Sequence, residues 1–286
     1  MSHFSSGESD KIPEGQQTVL ERFVQACEAD ERVVAAFLGG SRGAGKHDEW
    51  SDLDVYVVTL DEGYEDFGTQ VREFVGRLGE PLFVEDFGIE HTLFFVLADG
   101  TEGELSYGCE SRFLDIHAGA YRVLVDKKGV LAGAEFIGQQ TSEDEQVEML
   151  RQQVYWFWHD LSHFVTAMGR GELWWAQGQL EALRANCVNL ARLRRNKADE
   201  GVGDEPYFKV EKAIPTADLE PLRETFGPVE RAHLLGSVMT VLEFYREIAT
   251  ELAEEHGVKY PEQLEDVTLR RLERLQGSER SGQAGD

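Results

Sequence analysis

The sequence predicts an α+β chain: a small mixed β-sheet domain followed by a C-terminal helical bundle. Three observations predict it. Short β-branched runs alternate with helix-periodic segments as far as about residue 140. Beyond that, four long amphipathic stretches succeed one another with no strand signal between them. One early apolar run stops at two glycines, and an Asp-x-Asp stands soon after at the head of the next run.

Residues 1–14 are polar and read as a mobile tail without the apolar core of a signal peptide. The first domain spans 15–140. Thr18 to Glu28 places Val19, Leu20, Phe23, Val24 and Cys27 at helical spacing. Val33 to Leu38 is a continuous apolar run that ends at Gly39-Gly40, as a buried strand would. Asp54 to Leu60 is a second strand, and Phe67 to Leu78 is again helical through Val71, Phe74, Val75 and Leu78. Leu82 to Val84 and Thr92 to Ala98 are strand-like. The Asp99-Gly100 turn then sends Glu104 to Tyr107 back antiparallel. Tyr121 to Val125 adds a last short strand. In the bundle, 141–276, Glu145 to Met168, Leu173 to Arg195, Val229 to Ala253 and Pro261 to Leu275 read as helices. Asn196 to Glu205 reads as a loop, Pro215 and Pro221 interrupt the segment after it, and 277–286 is read as a disordered tail.

Composition limits the function. Hydrophobic residues at 41% describe a globular chain, and no run reaches the roughly 18 to 20 apolar residues of a membrane span. Cys27, Cys109 and Cys187 lie about eighty residues apart, which suits a reducing, cytoplasmic compartment and no zinc ribbon. Asp and Glu number 54 against 28 Lys and Arg, a net charge of −26. That field repels nucleic acid. Its dispersal along the chain points to a halophilic source, where salt screens the self-repulsion, ahead of the alternative that it attracts cationic acceptors.

The informative stretch is FLGGSRGAGKHDEWSDLDVYVV, Phe37 to Val58. Gly39 and Gly40 let backbone N–H groups approach phosphate oxygens, and the Ser41 hydroxyl adds a donor. Asp52 and Asp54 bracket Leu53 at the start of a strand, so alternation points both carboxylates one way and Leu53 into the core. Two such charges are costly side by side unless a cation sits between them, and magnesium favours a few carboxylates plus substrate phosphates. Gly43-Ala44-Gly45-Lys46 lacks the Gly-Lys-Ser/Thr ending of a Walker loop.

A Gly-Ser, about ten residues, and then Asp-x-Asp preceded by Ser resembles the DNA polymerase beta-type nucleotidyltransferases, nearest the aminoglycoside and lincosamide adenylyltransferases. The resemblance implies a third acid on an adjacent strand after a hairpin. The matching position is Glu104, as metal ligand, general base or both, with Glu102 and Asp99 left as turn residues. It implies two magnesium ions on Asp52, Asp54 and Glu104, ATP as donor and a small hydroxylated acceptor, aminoglycoside-like compounds included. In-line attack on the α-phosphorus would release pyrophosphate. Arg42 is the expected triphosphate partner and Lys46 a weaker one. Related enzymes build clefts between subunits, so a homodimer is compatible with it. Adenylylation of a protein or RNA, or a non-catalytic nucleotide-binding module, are the competing readings. The acidic charge weighs against RNA, and the three filled acidic positions weigh against the module.

In the bundle, Trp158, Asp160, Trp174 and Glu181 are the nominated acceptor-binding residues, within a Trp-rich region that also holds Trp156 and Trp175. Core packing is the default reading for the tryptophans, and a stacking wall for the acceptor or the base is the alternative. His159 and His163 stand four apart on one helical face, which suits a metal in principle, but the motif has no third ligand.

Overall fold

The computed structural model describes residues 14–137, 142–195 and 205–282. The expected loop at 196–204, the tail 1–13 and the last four residues lie outside the described residues. The chain divides into two compact units, Met1–Gln139 and Gln140–Asp286.

In the first unit, helix α1 (Glu14–Ala29) leads into strand β1 (Val33–Leu38). A single helical turn, α2 (Gly40–Gly43), then precedes β2 (Leu53–Thr59). Helix α3 (Tyr64–Gly76) is followed by β3 (Pro81–Glu85), β4 (Thr92–Leu97), β5 (Glu102–Cys109) and β6 (Arg122–Asp126). The sheet order is β3-β4-β5-β2-β1-β6. Among the described strands only β2 and β5 run parallel, because the chain passes over α3 and the β3–β4 hairpin before β5 inserts beside β2. That crossover makes the sheet mixed.

Strand alternation sorts the side chains. Val33, Ala36, Leu38, Leu53, Val55, Val57 and Leu105 face α1 and α3 and form one core with Phe23, Phe67 and Phe74. Phe37, Val58, Leu131 and Phe136 pack on the opposite face. The β4–β5 turn forms as expected: Thr101 N–H donates to Asp99 Oδ1 at 3.0 Å, and Leu97 N–H reaches Thr101 O at 2.9 Å. The return strand is longer than periodicity suggested. It begins at Glu102, which is therefore a strand residue paired with Val96 and not part of the turn.

The second unit contains α4 (Glu143–Arg170), α5 (Leu173–Arg194), the short α6 (Val210–Ala213) and α7 (Thr216–Arg223), α8 (Arg231–Glu255) and α9 (Glu262–Gly282). Ser142 caps α4 reciprocally with Glu145, which moves the helix start two residues ahead of the apolar periodicity. Helix α9 is described as far as Gly282. The core is built on Phe157, whose ring stacks on Tyr245 at 3.6 Å, with Trp158 edge-on to Tyr245 at 5.5 Å. The Tyr245 hydroxyl donates to Val154 O at 2.7 Å, so its one polar atom is paired inside the bundle. No helix among the described residues is long and apolar enough to cross a membrane.

Candidate active site

The apolar strand β1 delivers the chain to Gly39, whose N–H donates to Asp54 O at 3.0 Å and ties the loop to the head of β2. Gly40 follows at φ +53, and a Cβ built there would lie 1.6 Å from Asp54 Oδ2. Only glycine allows the carboxylate to lie against the loop backbone in this way. The Ser41 hydroxyl next to it is buried with no hydrogen-bond partner in the chain, which is a cost unless a ligand supplies the bond.

The register between β2 and β5 places the acids. Asp54 is paired with Glu104, and Leu53 with Gly103, in a parallel ladder. Asp54 and Glu104 therefore stand side by side on one face of the sheet, and Asp52 lies two residues before Asp54. Glu104 is in turn level with Phe94 on β4. Burial, and after it the charge of Asp52, raises the Glu104 carboxyl above its ordinary value. Tyr56, two residues further along β2, is pushed up to about 12 by burial and then by Asp54, Glu104 and Asp52. These shifts share one sign. Burial is the larger cause of each, and the neighbouring negative charge, which a cation would relieve, is the smaller.

Among the described residues, no three His, Cys, Asp or Glu side chains converge tightly enough to hold a metal ion by themselves. The expected set of Asp52, Asp54 and Glu104 therefore does not form a metal cage by itself. This donor chemistry still fits magnesium, which takes one or two carboxylates and completes its shell with substrate phosphates and water.

Arg42, the expected triphosphate partner, is buried. Its side chain is 1% exposed, and it faces inward. Nε donates to Asp52 O at 2.9 Å, and Nη2 donates to Ser51 O at 3.2 Å and to Gln16 Oε1. Burial pulls its guanidinium below the ordinary value. Arg42 holds the backbone that presents Asp52, while its Nη1 is buried without a hydrogen-bond partner among the described residues. Lys46 is exposed in the following loop. An Asp48–Ser51 turn, with Trp50 N–H on Asp48 Oδ1 at 3.0 Å, completes the approach to Asp52.

Two residues that the motif does not include belong to the site. Tyr56 shares the face of Asp54, and alternation from Asp52 was enough to place it there. His117 comes from the segment after the short 3-10 turn Phe113–Asp115 and packs on Tyr56 at 4.7 Å. No local pattern indicates it. Both border a cavity of about 580 Å³ that also includes Gly40, Asp54, Ile116 and Ile137.

The bundle nominees separate. Trp158 is 0% exposed and is a core residue, so its assignment to acceptor binding is corrected. Trp174 is 82% exposed. Asp160 accepts from His159 Nδ1 at 3.0 Å, and Glu181 is paired with Arg184. His159 and His163 lie with ring centroids 4.3 Å apart, between Trp156 and Trp175.

A mixed sheet with a glycine-serine loop and acids gathered beside it defines the nucleotidyltransferase class. The family model for streptomycin adenylyltransferase matches residues 14–274. The chain belongs to the streptomycin adenylyltransferase family and is an enzyme of adenylyltransferase type. Among solved structures it is similar to an aminoglycoside 6-adenyltransferase from Bacillus subtilis, at 14% identity and a TM-score of 0.42, over 92% of this chain and 99% of that one. No curated protein sequence matches it.

Proposed function

We propose that this enzyme transfers AMP from magnesium–ATP to a hydroxyl of a small acceptor, with the chemistry at Asp52, Asp54 and Glu104. The observation that carries the reading is the in-register pairing of Asp54 with Glu104 beside the Gly40 backbone. Gly39, Gly40 and the unpartnered Ser41 hydroxyl face the phosphates. Asp52 and Asp54 would hold magnesium, with Glu104 beside them. When bound, the metal neutralises charge on the phosphates and the leaving pyrophosphate.

The chain's own residues do the rest. Arg42 fixes the Asp52 backbone, so the carboxylates keep their spacing as the nucleotide arrives. Burial raises the proton affinity of Glu104, which suits it to take the proton of the acceptor hydroxyl as that oxygen attacks the α-phosphorus. The new bond joins acceptor oxygen to phosphorus, the α–β bridging bond breaks, and pyrophosphate leaves. The same Glu104 oxygens face the metal region, so base and ligand roles are both open to it. The family name supports streptomycin and related aminoglycosides as the first acceptors to test.

Pyrophosphate release across a panel of hydroxylated acceptors, for wild type and for Asp52→Asn, Asp54→Asn and Glu104→Gln, tests the assignment. Release that requires an acceptor and magnesium and falls at least 100-fold in the two Asp variants supports it. Full activity in both Asp variants rejects it.

A further inference from the structure

His117 is held more firmly than a loop residue needs to be. Its ring packs on Tyr56 at 4.7 Å, Phe136 at 5.1 Å and Phe37 at 5.5 Å. Nε2 lies 3.1 Å from the carbonyl oxygen of Ala120. A carbonyl oxygen only accepts, so Nε2 carries the proton and donates it. In the neutral ring the lone pair then sits on Nδ1, and burial favours the neutral ring by pulling the imidazole below its ordinary value.

Nδ1 has a defined place. It lies 3.0 Å from where a Cβ on Gly39 would stand, at the lip of the phosphate loop. Side chains here would close the space: the same Cβ would meet Tyr56 Cε2 at 2.5 Å. The cavity beside it is lined by Gly40 and Asp54, by Tyr56 and His117, by Asp115, and by the apolar Leu114, Ile116 and Ile137. A nucleoside triphosphate combines the same kinds of chemistry: phosphates, a hydroxylated sugar and a planar base. The volume of about 580 Å³ is within the range of small-molecule sites.

A lone pair at Nδ1 selects its partner. Phosphate oxygens are acceptors and make no hydrogen bond to it. On the nucleotide itself the donors are the ribose hydroxyls and the amino group of the base. The hydroxyls are the donors nearer the phosphates, and His117 is adjacent to the phosphate loop. We propose that His117 is a nucleotide-binding residue whose Nδ1 accepts a hydrogen bond from a ribose hydroxyl, making the donor site selective for ribonucleotides. This rests on the reading that the donor is a nucleoside triphosphate bound at Gly39 to Ser41.

Calorimetric titration of the full chain with magnesium and ATP, 2′-deoxyATP or 3′-deoxyATP tests it, for wild type and for His117→Phe. Phenylalanine keeps a ring among the aromatic neighbours and removes the acceptor. The expected result is that wild type binds one deoxy analogue about five- to tenfold more weakly than ATP, the worth of one neutral hydrogen bond. In His117→Phe that gap closes to within about twofold. Wild type that binds all three equally, or a gap that survives in His117→Phe, overturns the proposal while leaving ATP as donor. No binding of magnesium–ATP by wild type removes the donor reading and this proposal with it.

Nitrogen NMR on histidine-labelled wild type decides the point without a variant. The His117 Nδ1 resonance should move with ATP and stay with the discriminated analogue; an unmoved resonance with ATP bound overturns the proposal.

Discussion

Replacing Gly40 by alanine perturbs the site at its tightest contact. The added Cβ would stand 1.6 Å from Asp54 Oδ2 and 2.7 Å from its Cγ. To recover an ordinary contact near 3.4 Å, the carboxylate or the loop must retreat by about 1.8 Å. The residue is also at φ +53, where an alanine costs about 1 to 2 kcal/mol. Gly45 separates these effects. It sits at φ +66, but a Cβ there meets nothing within 4 Å. Gly45→Ala should therefore lose about 1 to 2 kcal/mol in urea denaturation and keep kcat/KM within about twofold. Gly40→Ala should lose at least as much stability and about 100-fold or more in kcat/KM, because a misplacement of about 1 Å at reacting groups already costs that much. Initial rates of pyrophosphate release, with an acceptor that wild type uses, measure it. A Gly40→Ala enzyme within about threefold of wild type would refute the placement of Asp54 against the loop.

Trp158→Ala should destabilise the chain by about 3 to 5 kcal/mol, as expected for truncating a fully buried aromatic. Retained stability with a raised acceptor KM would restore Trp158 as a binding residue. Asp30 accepts from Arg32 Nε at 2.9 Å and Nη2 at 2.7 Å, and those bonds hold its carboxyl below the usual 3.8. A depressed carboxylate stabilises the fold above its unfolded pKa and loses that contribution as pH falls through the folded value. The stability difference between wild type and Asp30→Asn should be about 2 to 3 kcal/mol and flat above pH ~5, shrinking below pH ~4; a difference that grows in acid would contradict the pairing. The net charge of −26 predicts that Tm rises by several degrees between low salt and about 1 M KCl, where screening reaches roughly 3 Å. A Tm that stays constant or falls would separate the acidic surface from salt tolerance.

The sequence was most legible where one periodicity ruled. Val33 to Leu38 and its glycine stop, the amphipathic helices and the Asp99-Gly100 turn all come from local pattern. Asp52 and Asp54 were legible for the same reason, since period 2 fixes their common face. Glu104 needed the resemblance, because the parallel pairing of β5 with β2 is a long-range event that no local window contains. The position of Arg42 after Ser41 suggests phosphate, but its bonds to the carbonyls of Ser51 and Asp52 are set by the fold and were not legible. Trp158 misled because a tryptophan-rich helix has the same pattern whether its rings line a cleft or fill a core. His117 lies in a segment without periodicity, and only the packing of Phe37, Tyr56 and Phe136 around it marks it.

Transfer of label from ATP tests the central claim most directly. With magnesium, an accepted hydroxyl compound and ATP labelled at either the α or the γ phosphate, wild type should place α label in the product and release γ label as pyrophosphate. Asp54→Asn, folded by its melting curve, should transfer α label at least 100-fold more slowly. Label from the γ position in the product, or an Asp54→Asn enzyme as fast as wild type, would contradict the account.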